Sequence, residues 1–83
     1  MRLVFLAAVA ALVFASPALA QEQFSSEQQA QQHCPKNTVV WLNIPSGIYH
    51  MKGMRWYGAT RHGAYVCQQE ADKAGDRKTR NGE

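Results

Sequence analysis

Two cysteines and three histidines are the residues of this chain with the most specific chemistry. Neither Cys34 nor Cys67 belongs to a C-x-x-C pair. In a small exported chain, which the N-terminus predicts, an even number of cysteines indicates a disulfide, and two cysteines allow one pairing. On chain-entropy grounds, such a bridge contributes roughly 3–4 kcal/mol of stability. We therefore predict a disulfide between Cys34 and Cys67, with redox-active or metal-binding thiols as the alternatives.

The three histidines could add metal ligands to the cysteines. A structural zinc site needs four Cys or His ligands within tetrahedral reach, and a catalytic site needs about three. If the cysteines are bridged, only His33, His50 and His62 remain, and they are scattered along the chain. We therefore expect no metal or other cofactor, and we keep zinc binding as an alternative. For His50 we predict a hydrogen-bonded structural role, with a pH-sensitive contact as the alternative.

The segment 46–58, SGIYHMKGMRWYG, concentrates aromatic and basic side chains. Rings beside cations are the arrangement that holds single-stranded nucleic acid, and Arg55, Trp56 and Tyr57 stand together, with Lys52 and Arg61 nearby. A domain this short also needs its large side chains to fill a core, so we predict that Trp56 is buried, together with Ile48 and Met51. The segment also predicts a binding face that comprises Tyr49, His50, Arg55 and Tyr57.

No set of residues has the spacing of a catalytic site. The carboxylates fall in the leader, on the predicted outer face of a C-terminal helix or in the tail, and nothing pairs them for acid–base work. The formal net charge is +3 for the whole chain, which is too small to argue for a nucleic-acid partner. We therefore predict a non-enzymatic protein that contacts an unidentified envelope or extracellular partner, with weak nucleic-acid binding as a further alternative. The oligomeric state stays open.

The N-terminal residues have the three-part pattern of a secretory signal peptide. Arg2 supplies a positive start, an apolar run extends from Leu3 to Phe14, and Ala18 and Ala20 form an A-x-A cleavage signature. The run is shorter than the roughly 20 apolar residues of a membrane-spanning helix. We therefore predict a signal peptide over 1–20 and release of a product without a membrane span into the periplasm or the medium.

The composition after the signal peptide predicts one small domain with polar flanks. Residues 21–33 are glutamine-rich and predict a flexible leader, in which Ser25 or Ser26 could cap a short helix. The disulfide-stapled domain is predicted over 34–77. Residues 78–83 are basic, have nothing to bury and predict a disordered tail.

Hydrophobic patterning predicts the elements of this domain. Residues 38–44 are mostly β-branched or aromatic and predict a strand with apolar side chains on both faces. The short runs 48–51 and 64–67 predict two further strands, and 54–58 predicts either another strand or an ordered loop. Residues 68–75 predict a helix of about two turns that ends at a glycine. We therefore predict a small α+β fold: an antiparallel sheet of about three strands, one C-terminal helix and one disulfide.

A series of short motifs runs from Cys34 to Arg77. After the first strand come SGIYH, G-x-RWYG, G-x-Y-x-C, a Glu–Ala pair and AG-x-R. This order resembles a group of small exported bacterial proteins of unassigned function. More distantly, it is similar to the metal-binding module of Ada-type DNA-repair proteins, which implies a related fold. Met54 stands about where that module has a cysteine, and no cysteine pair follows Arg77, so the resemblance does not imply its zinc function. The residues that match the module are Tyr49, His50, Tyr65, Glu70, Ala71, Gly75 and Arg77.

Overall fold

The computed structural model describes residues 21–80. The predicted signal peptide over 1–20 and the last residues of the predicted tail, 81–83, lie outside the described residues. No helix in the described part of the chain has the length and apolar character needed to cross a membrane. The elements are α1 (Glu27–His33), β1 (Val39–Asn43), β2 (Ile48–His50), β3 (Gly63–Cys67), α2 (Gln68–Lys73) and β4 (Arg77–Lys78).

The strands form one mixed sheet in the order β3-β1-β2-β4. The central strand β1 pairs antiparallel with β2 and with β3, so Trp41 lies between His50 and Tyr65. The short strand β4 pairs parallel with β2. The predicted α+β class with a small sheet and a C-terminal helix is confirmed, and β4 adds a parallel edge to the predicted antiparallel strands.

Both faces of β1 are apolar because a helix packs on each face of the sheet. Val40 and Leu42 face α2 and pack with its Ala71. Val39 lies on the opposite face and packs with Ala30 of α1. Val40 is fully buried, and burial of one such side chain contributes about 1.5–3 kcal/mol. The two-sided pattern predicted for this strand therefore corresponds to two small cores.

The predicted disulfide is present and joins the two helices to the sheet. Cys34 is the C-cap residue of α1, and Cys67 ends β3 directly before α2. Both cysteines are buried. The bridge therefore fixes the end of one helix beside the start of the other.

Residues 21–33 differ from the flexible leader that their composition predicts. Ser26 caps α1, and its Oγ accepts a hydrogen bond of 3.1 Å from the Gln29 amide. Ala30 is completely buried against the sheet, and Phe24 exchanges two backbone hydrogen bonds of 2.9 Å with Tyr65. One small side chain is enough to seat the helix closely, while the glutamines face water.

The predicted tail also begins later than its composition suggests. The Arg77 amide donates to the Gly47 carbonyl oxygen at 2.9 Å, and the Thr79 amide donates to the Tyr49 carbonyl oxygen at 3.0 Å. These bonds add residues 77–79 to the edge of β2. Arg77 and Lys78 are exposed, so no hydrophobic pattern marks this strand in the sequence.

Candidate functional site

The sheet face opposite α2 carries an open hollow of about 450 Å³. Its size lies within the range of sites that bind small molecules. Strands β1 and β2 form one side, and the loop between β2 and β3 forms the other. Residues that line it include Asn43, Ile48, His50, Trp56, Arg61 and Thr79.

His50 is a buried residue of this hollow. Its side chain is on the same face of β2 as Ile48, and the residue is 6% exposed. Its Nδ1 atom is buried and has no hydrogen-bond partner among residues 21–80. The burial agrees with the predicted structural histidine, whereas the predicted hydrogen bond is missing at Nδ1. An unpaired buried polar atom costs about 1–3 kcal/mol, so it requires an explanation in structure or function.

Trp56 forms a wall of the hollow. The prediction from its size, that it lies in the core, is wrong. It is 37% exposed. The guanidinium of Arg55 lies over its ring, 5.1 Å from the ring centroid. The ring therefore presents an apolar surface to solvent, with a cation beside it.

Trp41 is a buried tryptophan of the sheet. Its ring lies edge-on to Tyr65, with centroids 4.8 Å apart, and covers Gly63, where a Cβ atom would overlap it. Its Nε1 donates a hydrogen bond of 2.8 Å to Thr60 Oγ1. This bond holds the loop against the sheet at Thr60, the residue before Arg61. The core thereby helps to position the Arg61 guanidinium at the hollow.

The four residues of the predicted binding face do not share one surface. His50 lines the hollow, and Arg55 stands beside it on Trp56. Tyr49 is buried on the opposite face, where its hydroxyl donates to Asp72 at 2.6 Å. The Tyr57 hydroxyl donates to Glu27 of α1 at 2.8 Å. Both tyrosines therefore hold elements together.

The environment of each tyrosine hydroxyl fits this structural role. Burial raises the pKa of Tyr49 above its ordinary value, and the hydrogen bond to Asp72 adds to this effect. Burial also raises the pKa of Tyr57, with a further contribution from the Glu27 carboxylate. Each hydroxyl keeps its proton and acts as a donor to a carboxylate.

The charge around the hollow is positive. Arg61 is the lining residue with a full charge, and none of the lining residues in the described chain is Asp or Glu. Two carboxylates outside the lining are paired with other groups: Glu27 accepts from Lys52 Nζ at 2.7 Å, and Glu70 lies 2.8 Å from His33 Nε2. The hollow thus combines a cation, an apolar ring and polar side chains.

Sequence reasoning named His50, Trp56 and Arg61 of the lining but missed the polar remainder. Alternation along β2 places Ile48 and His50 on one face. Thr79 reaches the hollow because β4 extends the sheet, and no pattern in the sequence indicated that strand. Asn43 is the last residue of β1 and carries no signal of its own.

Among residues 21–80, one cluster has the donor types of a metal site. The ligand atoms of His33, Cys67 and Glu70 all lie within 4.8 Å of one another. Cys67 is in the disulfide with Cys34, so its sulfur has no thiolate to offer a metal while the bridge is intact.

Comparisons with known proteins give no guide to either site. The chain matches no protein-family model, no curated protein and no solved structure. The resemblance to small exported proteins and to Ada-type modules therefore stays a prediction.

Proposed function

We propose that this protein is a small exported binding module without enzymatic activity, and that it binds its ligand in the hollow on the sheet. The observation that carries the proposal is that the open hollow is lined by the exposed Trp56 and by His50, a buried histidine whose Nδ1 has no hydrogen-bond partner among residues 21–80. Export is supported by the pattern of the first twenty residues and by a disulfide of the kind found in oxidising compartments.

The lining favours a ligand with a carboxylate next to an apolar face. Arg61 offers a guanidinium, which binds carboxylates through two parallel hydrogen bonds. Trp56 and Ile48 offer an apolar wall on which a ring can pack. The carboxylate could belong to a small solute or to a larger partner, because both present the same chemistry to these side chains.

Binding without chemistry is supported by the state of the reactive groups nearby. Ser46 Oγ donates to the Asn43 carbonyl oxygen and accepts from the Ile48 amide, each at 3.2 Å, so it serves its own turn. Within the described residues, the hollow has no carboxylate that could pair with His50 as an acid or base. A hydrolytic site would need a free nucleophile such as a serine hydroxyl, and a carboxylate beside the histidine.

A matched pair of small probes tests the charge preference. In an NMR titration of the ¹⁵N-labelled protein, benzoate should shift the amides of His50 and Arg61 and the indole N–H of Trp56. Benzamide has nearly the same shape without the charge and should bind more weakly. A uracil oligonucleotide tests the nucleic-acid alternative, and steep loss of binding with salt would identify it.

Two variants separate the hollow from nonspecific attraction. Arg61→Gln should reduce benzoate binding to the level of benzamide, whereas Lys36→Gln, which removes an exposed cation at the opposite end of β1, should leave it unchanged. Equal binding of the two probes, or equal loss in both variants, would contradict the proposed ligand chemistry. Shifts that avoid the hollow residues would contradict the site itself.

A further inference from the structure

The corner where α1 ends and α2 begins brings four metal-ligating side chains together. Cys34 and Cys67 are joined there. His33 precedes the first cysteine, and Glu70 lies in the first turn of α2. Their side chains meet across the disulfide, with His33 Nε2 and Glu70 Oε2 2.8 Å apart.

We propose that the reduced form of the protein binds one Zn²⁺ at this corner, with Cys34, Cys67, His33 and Glu70 as the ligands. A dithiol reductant would supply two electrons and two protons to the disulfide, and it would itself be oxidised to a disulfide. The two new thiols then lose their protons to solvent as their sulfurs bind the ion. Zinc accepts thiolate sulfur, imidazole nitrogen and carboxylate oxygen in one tetrahedral site.

The two cysteines already have the backbone separation that such a site requires. With Zn–S bonds of about 2.3 Å, two sulfurs of a tetrahedral site lie about 3.8 Å apart. The Cα atoms of Cys34 and Cys67 are 6.2 Å apart, so rotation of the two side chains can open this gap without movement of the helices. The ligand atoms of His33, Cys67 and Glu70 already lie within 4.8 Å of one another.

The burial of the four residues fits an ion that enters from solvent. Cys67 is 1% exposed, whereas the side chains of His33 and Glu70 are 34% and 36% exposed. The sulfurs would therefore form the inner side of the site, and the two polar side chains would close over the ion. Zinc would cross-link the same two points of the fold as the disulfide does.

This site differs from the one that an Ada-like scaffold would use. It does not involve the loop around Met54, and it takes its ligands from the two helix ends. It depends on the redox state of the cysteines and is independent of the hollow on the sheet, so failure of either proposal leaves the other in place.

Cobalt provides the spectroscopic test. The purified protein is reduced with a phosphine under anaerobic conditions and titrated with Co²⁺. We expect one ion per chain by native mass spectrometry, sulfur-to-cobalt charge-transfer absorption, and the visible bands of tetrahedral Co²⁺. Added Zn²⁺ should displace Co²⁺ and so abolish the charge-transfer absorption and the visible bands. The oxidised protein should show neither of these two absorptions.

Histidine variants identify the ligands. His33→Ala should weaken Zn²⁺ binding to the reduced protein by at least about tenfold, since even the loss of a group outside the ligand shell has effects of this size. His62→Ala removes another exposed histidine, in the loop before β3, and should bind zinc as the unchanged protein does. Glu70→Gln should weaken binding in the same direction as His33→Ala.

The outcome is informative even if reduction unfolds the chain. Zinc that binds this corner should then restore the helical circular dichroism, because binding at a site that exists only in the fold drives folding. Absence of sulfur-to-cobalt absorption, or equal losses in His33→Ala and His62→Ala, would overturn the proposal. Binding by the unfolded chain without recovery of structure would also overturn it.

Discussion

Trp41 and Trp56 have the same side chain and opposite environments. Trp41 lies on the central strand, where Tyr65 and a glycine make room for its ring, and it is 9% exposed. Trp56 lies in a loop, is 37% exposed and is accompanied by an arginine. Size alone favoured burial of both, but the sheet has space for one indole. The other indole is therefore exposed and lines the hollow.

Replacement of each tryptophan by alanine should separate these roles. Trp41→Ala should lower the free energy of unfolding by about 3–5 kcal/mol, since it empties a core position. Trp56→Ala should change it by less than about 1 kcal/mol and should weaken benzoate binding. Urea unfolding followed by circular dichroism measures both. Unfolding midpoints that fall equally in the two variants would contradict the assignment of Trp56 to the binding site.

Glu27 makes the free energy of unfolding depend on pH in the acidic range. The hydrogen bond from Lys52 holds the pKa of this carboxyl below its ordinary value of 4.5, and the Tyr57 hydroxyl adds to the effect. The unfolded chain therefore binds this proton at a higher pH than the folded chain does. The stabilising contribution is complete above the unfolded pKa and is lost as the pH falls through the lowered folded value.

Glu27→Gln should remove this contribution to the pH dependence. The unchanged protein should be more stable than the variant near neutral pH, and the difference in urea midpoint should shrink as the pH falls below 4.5 and through the lowered pKa of the folded state. Glu22→Gln is the control, because Glu22 is exposed at the start of the described chain. A difference that stays constant with pH would show that Glu27 does not act through its charge.

The packing of β3 against β1 requires a glycine at position 63. A role in a turn does not explain this requirement. Gly63 begins β3 opposite Asn43, and the Trp41 ring fills the space where a side chain would stand. Gly63→Ala should therefore cost about 1–3 kcal/mol by overpacking. It should also shift the fluorescence of Trp41.

A second glycine provides the comparison for this substitution. Gly53 has a φ of 91° and open space around it, so Gly53→Ala adds backbone strain of about 1–2 kcal/mol without contact to a ring. It should leave the tryptophan fluorescence unchanged. Fluorescence shifts of the same size in both variants would contradict the proposed contact of Gly63 with Trp41.

The elements differ in how well the sequence predicts them, and the reason is how each one is stabilised. β1, β3 and α2 carry their own hydrophobic pattern, so their types and approximate limits follow from the sequence. The packing of α1 rests on Ala30, whose small size suits close approach but gives no hydrophobic periodicity. β4 consists of two exposed cations held by backbone bonds. The hollow depends on both β4 and the loop, so its polar lining could not be predicted from residue types.

At the scale of the whole molecule, the chain divides its apolar residues between two small cores. One core lies under α2 around Val40, and the other lies under α1 around the disulfide. Neither core is large, because the apolar side chains of the short central strand β1 are divided between the two faces of the sheet. A domain of about 60 residues has a total stability of about 3–9 kcal/mol. The disulfide, at about 3–4 kcal/mol, is therefore a large part of what keeps this fold together.

Reduction should reveal this dependence directly. The protein is reduced with a phosphine in the presence of a chelator, which removes any zinc. Its free energy of unfolding should then be about 3–4 kcal/mol lower than that of the oxidised protein. The loss arises because the reduced chain regains the conformational freedom that the bridge between Cys34 and Cys67 removes from the unfolded state. Urea unfolding of the two forms measures it, and a redox-inert disaccharide in place of the phosphine serves as the control. If the reduced, chelated protein unfolds at the same urea concentration as the oxidised form, the two cores hold the fold without the bridge.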